Sequence, residues 1–311
     1  MGVRLKTPAK ILIVILAIGL IYLAFELSGL RKKYFGKKTG GTIQFTARTD
    51  ENTIRVGIVT WGGYAAGLMA NGGFETKPGS IYDNLGLKVK FIVMDDLGPC
   101  RAAWRSDNID IMWGTVDSFA QEYEGLKSED PIVLLQNDWS RGGDAIAVDA
   151  SINTVEDLRD KTIAVAEGTP SHFFALFALT EAGLSNNDVK WKFTSSAVEA
   201  ANIFKTGGVD ACVSWAPDVY IAARSRSGAK ILASTKTATN LIADILIAKR
   251  KLLANSRDKV EKFITGWFKG VEAVNQNKEK AINLMVSRAG ESGFSNVDYA
   301  LAKEMLENVH L

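Results

Sequence analysis

Residues 161–184 read Lys161-Thr-Ile-Ala-Val-Ala-Glu-Gly-Thr-Pro-Ser-His-Phe-Phe-Ala-Leu-Phe-Ala-Leu-Thr-Glu-Ala-Gly-Leu184. A β-branched run, 161–165, leads into a Gly-Thr turn, and an apolar helical run, 173–184, comes after it. Thr169 suits the N-cap of that helix and Pro170 its first position. Strand, tight turn and capped helix together predict an α/β unit. The first helical turn leaves backbone N–H groups unpaired with partial positive charge behind them, which suits an anionic or strongly polar ligand. An ordinary capped βα turn has the same sequence, so the stretch alone leaves both readings open.

The 311 residues carry a formal net charge of +2, with 23% charged and 47% hydrophobic. This is a globular composition with room for two domains. Neither the charge balance nor any basic stripe with interleaved aromatics points to nucleic acid. Two cysteines, Cys100 and Cys212, make neither a disulfide framework nor a thiolate metal site. Two histidines, His172 and His310, are too few for a His-rich metal centre. No cofactor is expected.

At the N-terminus a basic region, 1–10, precedes an uninterrupted apolar run, 11–25. That pattern is a secretory signal or a membrane anchor. The run alone is short for a span of roughly 20 residues, and extension to Leu30 supplies the length. No A-x-A cleavage site is found after it and no cysteine offers a lipidation point, so residues 11–30 are read as an uncleaved anchor in the inner membrane. Residues 31–52 are read as a tether. The basic residues Arg31, Lys32, Lys33, Lys37 and Lys38 lie beyond the run. By the positive-inside rule they oppose export of the downstream chain, in conflict with an extracytoplasmic location.

From Thr53 onward strands alternate with helices, the pattern of a mainly parallel sheet covered on both faces. Ligands of such sheets bind beyond the carboxyl ends of the strands. Those ends carry Trp61-Gly-Gly-Tyr64, Trp113-Gly-Thr115, Ser140-Arg-Gly-Gly143, Gly168-Thr-Pro-Ser-His172 and Trp215-Ala-Pro-Asp218. Glycine allows close backbone approach, aromatics give flat contact area, and hydroxyls fix orientation. Their recurrence predicts a cleft.

Three motifs, in order, carry a family resemblance. Asn108-Ile-Asp-Ile-Met-Trp-Gly-Thr115 is similar to "G-x-x-D-x-x-x-x-G". Residues 154–172, from Thr154-Val-Glu-Asp-Leu to Gly168-Thr-Pro-Ser-His172, are similar to "DLKGKTIAV…G(S/T)xxH". Gly208-Val-Asp-Ala-Cys-Val-Ser-Trp-Ala-Pro217 is similar to "GxxDAxxxWEP", with Ala216 where the family often has Glu. Residues 53–290 thus resemble the binding proteins of nitrate, sulfonate, taurine and thiamine-precursor ABC importers. The resemblance implies a two-lobed periplasmic-binding-protein fold of type II, closing on a ligand. Lobe one would comprise 53–138 plus 239–311, and lobe two 139–238. It implies a cleft lined by Trp61, Tyr64, Gly114, Thr115, Arg141, Thr169, Ser171, His172, Trp215 and Asp244. In that cleft Trp61 and Trp215 would wall the ligand and Arg141 would pair an anionic group. His172, in a first helical turn, is expected to stay neutral. Cys100 and Cys212 fall in different lobes and are expected as buried free thiols.

The function implied is capture of a small, anionic organic or inorganic solute, and its delivery to an ABC permease. The protein would be periplasmic and anchored to the membrane. A second reading is an envelope-organising or sensor protein with an unused cleft. Some relatives continue into a peptidoglycan-binding domain resembling the C-terminal part of outer-membrane protein A, so a chain truncated before such a domain, with peptidoglycan as partner, is a further expectation. Enzymatic readings are weaker. The related thiamine-pyrimidine synthases carry a cysteine-rich motif absent here. Ser171 and His172 are adjacent on a helix and do not face each other.

Overall fold

The computed structural model describes residues 52–238, 240–286, 294 and 297–311. The expected anchor, 11–30, and tether, 31–52, lie outside them except for Asn52. Among the described residues no helix is long and apolar enough to cross a membrane.

Two separate sheets form, where alternation alone suggested one mainly parallel sheet. In the first, β1 (Thr53–Ile58) pairs in parallel with β2 (Lys88–Val93) and β3 (Ile111–Thr115). The chain then leaves through β4 (Pro131–Ser140). In the second, β6 (Thr162–Ala166) pairs in parallel with β7 (Lys190–Thr194) and β8 (Ala211–Trp215). It is completed by β5 (Asp144–Val148) and β9 (Lys230–Ser234), both antiparallel to their partners. The chain returns to the first sheet through β10 (Ala243–Lys249), and β11 (Val309–His310) closes its edge. The orders are β11-β4-β10-β3-β1-β2 and β7-β6-β8-β5-β9.

The antiparallel strands result from the two crossings. β4 leaves the first sheet at the end where β10 comes back into it, so the two run in opposite directions, with Asp138 opposite Asp244. β5 and β9 are related in the same way, with Ala145 opposite Ser234. Every residue next to a crossing therefore lies at one place, between the sheets. The stretch 137–140 reads as a loop by its Asn, Asp and Ser, yet it is strand to Ser140. β10 pairs with it on one side and β11 on the other.

Each sheet has its own core. Around the first, Tyr82 stacks on Phe263 with ring centroids 5.8 Å apart, and Trp104, Trp267 and Phe294 are fully buried. Gly266 and Gly270 let the Arg257–Gln276 helix approach closely. A Cβ on Gly270 would lie 2.1 Å from the carbonyl oxygen of Ala66. The second sheet buries Phe174, Leu179, Val165 and Val213 on one face. Ala164, Phe204, Cys212 and Val219 are buried on the other. Cys100 and Cys212 are free and buried.

The crossings are stitched by Thr235. Its hydroxyl accepts from Gly142 N at 2.8 Å and lies 3.0 Å from the Ser140 hydroxyl. Gly142 has φ of +113°, a conformation open to glycine. The Tyr220 hydroxyl donates to its carbonyl at 2.6 Å.

Candidate functional site

Between the crossings lies a cavity of about 30 Å³. Trp61, Trp113, Thr115, Ile242 and Asp244 line it from the side of the first sheet. Gly143, Asp144, Pro170 and Trp215 line it from the side of the second, and Val59 and Ser140 complete the wall. Trp113 meets Trp215 edge-on, with ring centroids 6.3 Å apart. The indoles are held in place. Trp61 Nε1 donates to Asp138 at 2.8 Å, and Trp113 Nε1 donates to the Met94 carbonyl at 2.8 Å. The glycines of Trp61-Gly-Gly-Tyr64 serve this packing. A Cβ on Gly63 would lie 2.6 Å from the Asp138 carboxyl carbon, and one on Gly62 2.5 Å from the Met305 carbonyl oxygen.

Of the residues singled out from sequence, Trp61, Thr115, Trp215 and Asp244 line the cavity. Ser171 lies behind it, fully buried, and donates to Asp144 at 2.7 Å. Thr169 is the N-cap as expected. Its hydroxyl donates to the Ala166 carbonyl at 2.7 Å and accepts from His172 N, so the turn consumes its hydrogen bonds. Gly114 faces away, where a Cβ would meet Ile247 at 2.9 Å. Neighbouring strand residues point to opposite faces, so Thr115 shares the cavity face with Trp113. Tyr64 is wholly buried against Trp267 and lies outside the lining, its hydroxyl without a partner among the described residues. Arg141 is not in the lining but lies between the lining residues Ser140 and Gly143; its backbone N–H donates to the Asn308 carbonyl at 2.9 Å, and its Nε is buried without a partner among the described residues.

His172 belongs to a different place. It lines a wider groove of about 640 Å³ with Asp117, Gln121, Trp139 and Phe173. Its ring packs edge-on against Trp191 and Phe193, and Nδ1 accepts from Gly168 N at 3.3 Å. Burial lowers its pKa, against the opposing pull of Glu167, and so favours the neutral ring.

Two carboxylates that sequence reading missed, Asp138 and Asp144, join Asp244 at the site. Asp138 and Asp244 face each other across β4 and β10. Both are at least nine-tenths buried. Burial raises both, and the Asp138 carboxyl is pushed up to about 6 while that of Asp244 lies well above the usual carboxylate range. Such a pair shares a proton and titrates as a unit. Asp144, held by Ser171 and by Ser140 at 3.2 Å, is raised by burial to about 7. Among the described residues no Lys or Arg side chain lines the cavity. The Arg101 guanidinium sits 5.7 Å from the Trp113 ring centre. It is engaged by Glu122 at 2.6 Å and by the Trp113 carbonyl at 2.6 Å. The side chains of the described lining that carry charge are thus acidic. The spacing of the three aspartates, at 138, 144 and 244, gives no local signal; only the crossings bring them together.

This is the two-lobed α/β fold of periplasmic binding proteins. The periplasmic aliphatic sulphonate binding protein of Escherichia coli is similar with TM-score 0.66 at 18% identity, over 84% of this chain and 86% of that one. Residues 128–281 of this chain match the family model described as NMT1/THI5 like. Two curated relatives, provisionally named aliphatic sulfonates-binding proteins, are also similar. That of E. coli strain K12 is 27% identical over 145 residues, 47% of this chain and 44% of the relative. That of Bacillus subtilis strain 168 is 26% identical over 229 residues, 73% of this chain and 66% of the relative. The matches therefore span less than two thirds of either relative.

Proposed function

We propose that this chain is the solute-binding component of an ABC-type importer and performs no chemistry. It holds a small solute between two lobes, 53–138 plus 239–311 and 139–238, and presents the closed form to a permease. The observation that carries this reading is the cavity at the double crossing, walled by indoles from both sheets. A solute touching Trp61 and Trp113 on one side and Trp215 on the other favours the closed arrangement by its differential contacts. Residues 11–30 anchor the protein to the membrane and residues 31–52 tether it on the periplasmic side. The sulfonate in the names of its relatives supports the family role; the lining favours a different class of solute.

The test is a thermal-shift screen of the full chain in detergent against small solutes, with cell fractionation to place it. A ligand that binds the native state alone raises stability by about 2.7 kcal/mol at a hundredfold excess over Kd. A hit that disappears in Trp215→Ala supports the reading. A folded protein that no solute stabilises, with wild type and Trp215→Ala melting alike, sinks it.

A further inference from the structure

We propose that the cavity takes a compact organic cation, an ammonium or amidinium group, seated among Trp61, Trp113 and Trp215 and facing Asp244 and Asp144. This rests on the solute-binding reading and names the class of solute.

The indoles are the first observation. Three converge on one small cavity from both sheets. Aromatic faces attract cations through their ring quadrupole, and more strongly where water is excluded. The second is independent of them. Asp244 is 6% exposed and lines the cavity. Its carboxylate faces Asp138, and among the described residues its hydrogen-bonding side-chain neighbour is that second acid. With one shared proton the two acids satisfy each other; once both ionise, two buried negative charges face each other with no Lys or Arg side chain in the described lining. A cation in the cavity supplies both the charge and the N–H donors. A metal ion is a poorer fit, because among the described residues no group of three or more His, Cys, Asp or Glu side chains is placed to hold one. The volume, about 30 Å³, suits a small head group.

The proposal fixes a direction of pH dependence. The groups facing Asp244 are Asp138 on β4, Asp144 on β5, Asp117 on the Val116–Leu126 helix and Tyr64 below it. Among the cations nearby, Arg101 is committed to Glu122, and Arg141, beside the lining residue Ser140, has a buried Nε without a partner among the described residues but does not itself line the cavity. A cation recruits the ionised carboxylates, so it binds with release of protons and more tightly as pH rises. An anion held by the same acids in protonated form would show the reverse.

Isothermal titration of the full chain in detergent with methylammonium, guanidinium and choline, against methanesulfonate and nitrate, at pH 5.5 and 8, tests this. The expected result is binding of a cation, tighter at pH 8. Affinity should fall about tenfold or more in Asp244→Asn. Trp215→Leu, at the partly exposed wall, should weaken it as well and guards against a variant that does not fold. Binding of a sulfonate or nitrate that tightens at pH 5.5 would overturn the proposal and leave the solute-binding reading standing. Cation binding that Asp244→Asn and Trp215→Leu leave unchanged would overturn the placement. Failure of all three cations to bind folded protein would overturn the proposal, and the thermal-shift screen would then decide the solute-binding reading by itself.

Discussion

Asp144 sits against two hydroxyls, Ser171 and Ser140, in a wall that contains no free cation among the described residues. Its folded pKa, about 7, lies above the ordinary carboxylate value. The native state therefore holds a proton that the unfolded chain has released. Stability from this group is full at low pH and is lost as pH rises from about 4 through about 7. For Asp144 alone the loss is on the order of 4 kcal/mol. Asp138 and Asp244 act with the same sign. His172 acts with the opposite sign, since its lowered pKa favours the fold as pH rises toward about 6.5. Urea unfolding of the unliganded protein should show falling stability between pH 4 and 7, and Asp144→Asn should flatten that slope. A slope unchanged in the variant would remove Asp144 as its source. At this scale the sequence signal was mixed. Thr169 and Pro170 form the expected cap because capping is local, whereas Gly114 lies outside the lining because strand alternation pairs Trp113 with Thr115.

Helix packing gives the clearest contrast between glycines. Gly270 lies where the Arg257–Gln276 helix touches the backbone of the Ala65–Asn71 helix, and a Cβ there would collide with a carbonyl oxygen. Gly270→Ala should cost about 2 kcal/mol or more, measured by chemical denaturation. Gly98, inside the Leu97–Arg105 helix, has open space around it. Gly98→Ala should be neutral or stabilise by up to about 1 kcal/mol. Equal effects at the two sites would contradict the packing. Gly143 is a second crowded position, 2.6 Å from the Ser140 hydroxyl and 2.8 Å from the Trp61 ring as judged from its added Cβ. Gly143→Ala should therefore displace Trp61 and weaken solute binding more than it lowers the melting temperature. At the level of elements, strands and helices were largely legible from periodicity. The exception, 137–140, is a strand because of what pairs with it, and pairing partners more than a hundred residues away leave no mark on local composition.

For the whole molecule, two buried thiols report on two cores. Burial raises the Cys100 thiol to about 11 and the Cys212 thiol to about 12. Both should resist thiol reagents in the native protein, since the thiolate is the reacting form. Each should become reactive as the core around it opens. Cys100 packs beside the first sheet and Cys212 lies in the second. Labelling both at one denaturant concentration would mean that the sheets unfold together. Labelling of Cys212 first would mean that the second opens independently. Reaction of either thiol in native buffer would contradict the burial. The C-terminal helix, Tyr299–Glu307, joins the two halves through Glu304 and Arg224 at 2.7 Å, an exposed pair worth little by itself.

The sequence by itself determined the local units: the strands of Val and Ile, the capped helix at Thr169, the aromatic strand ends and the resemblance they carry. These depend on residues a few positions apart, and their chemistry is read within one turn or one strand. Only the tertiary structure decided which strands pair in each sheet and that Asp138 and Asp144 meet Asp244 beneath three indoles. The physical reason is the double crossing. It brings together positions from distant parts of the chain, and the desolvation that raises their pKa values exists only once both sheets have closed around them.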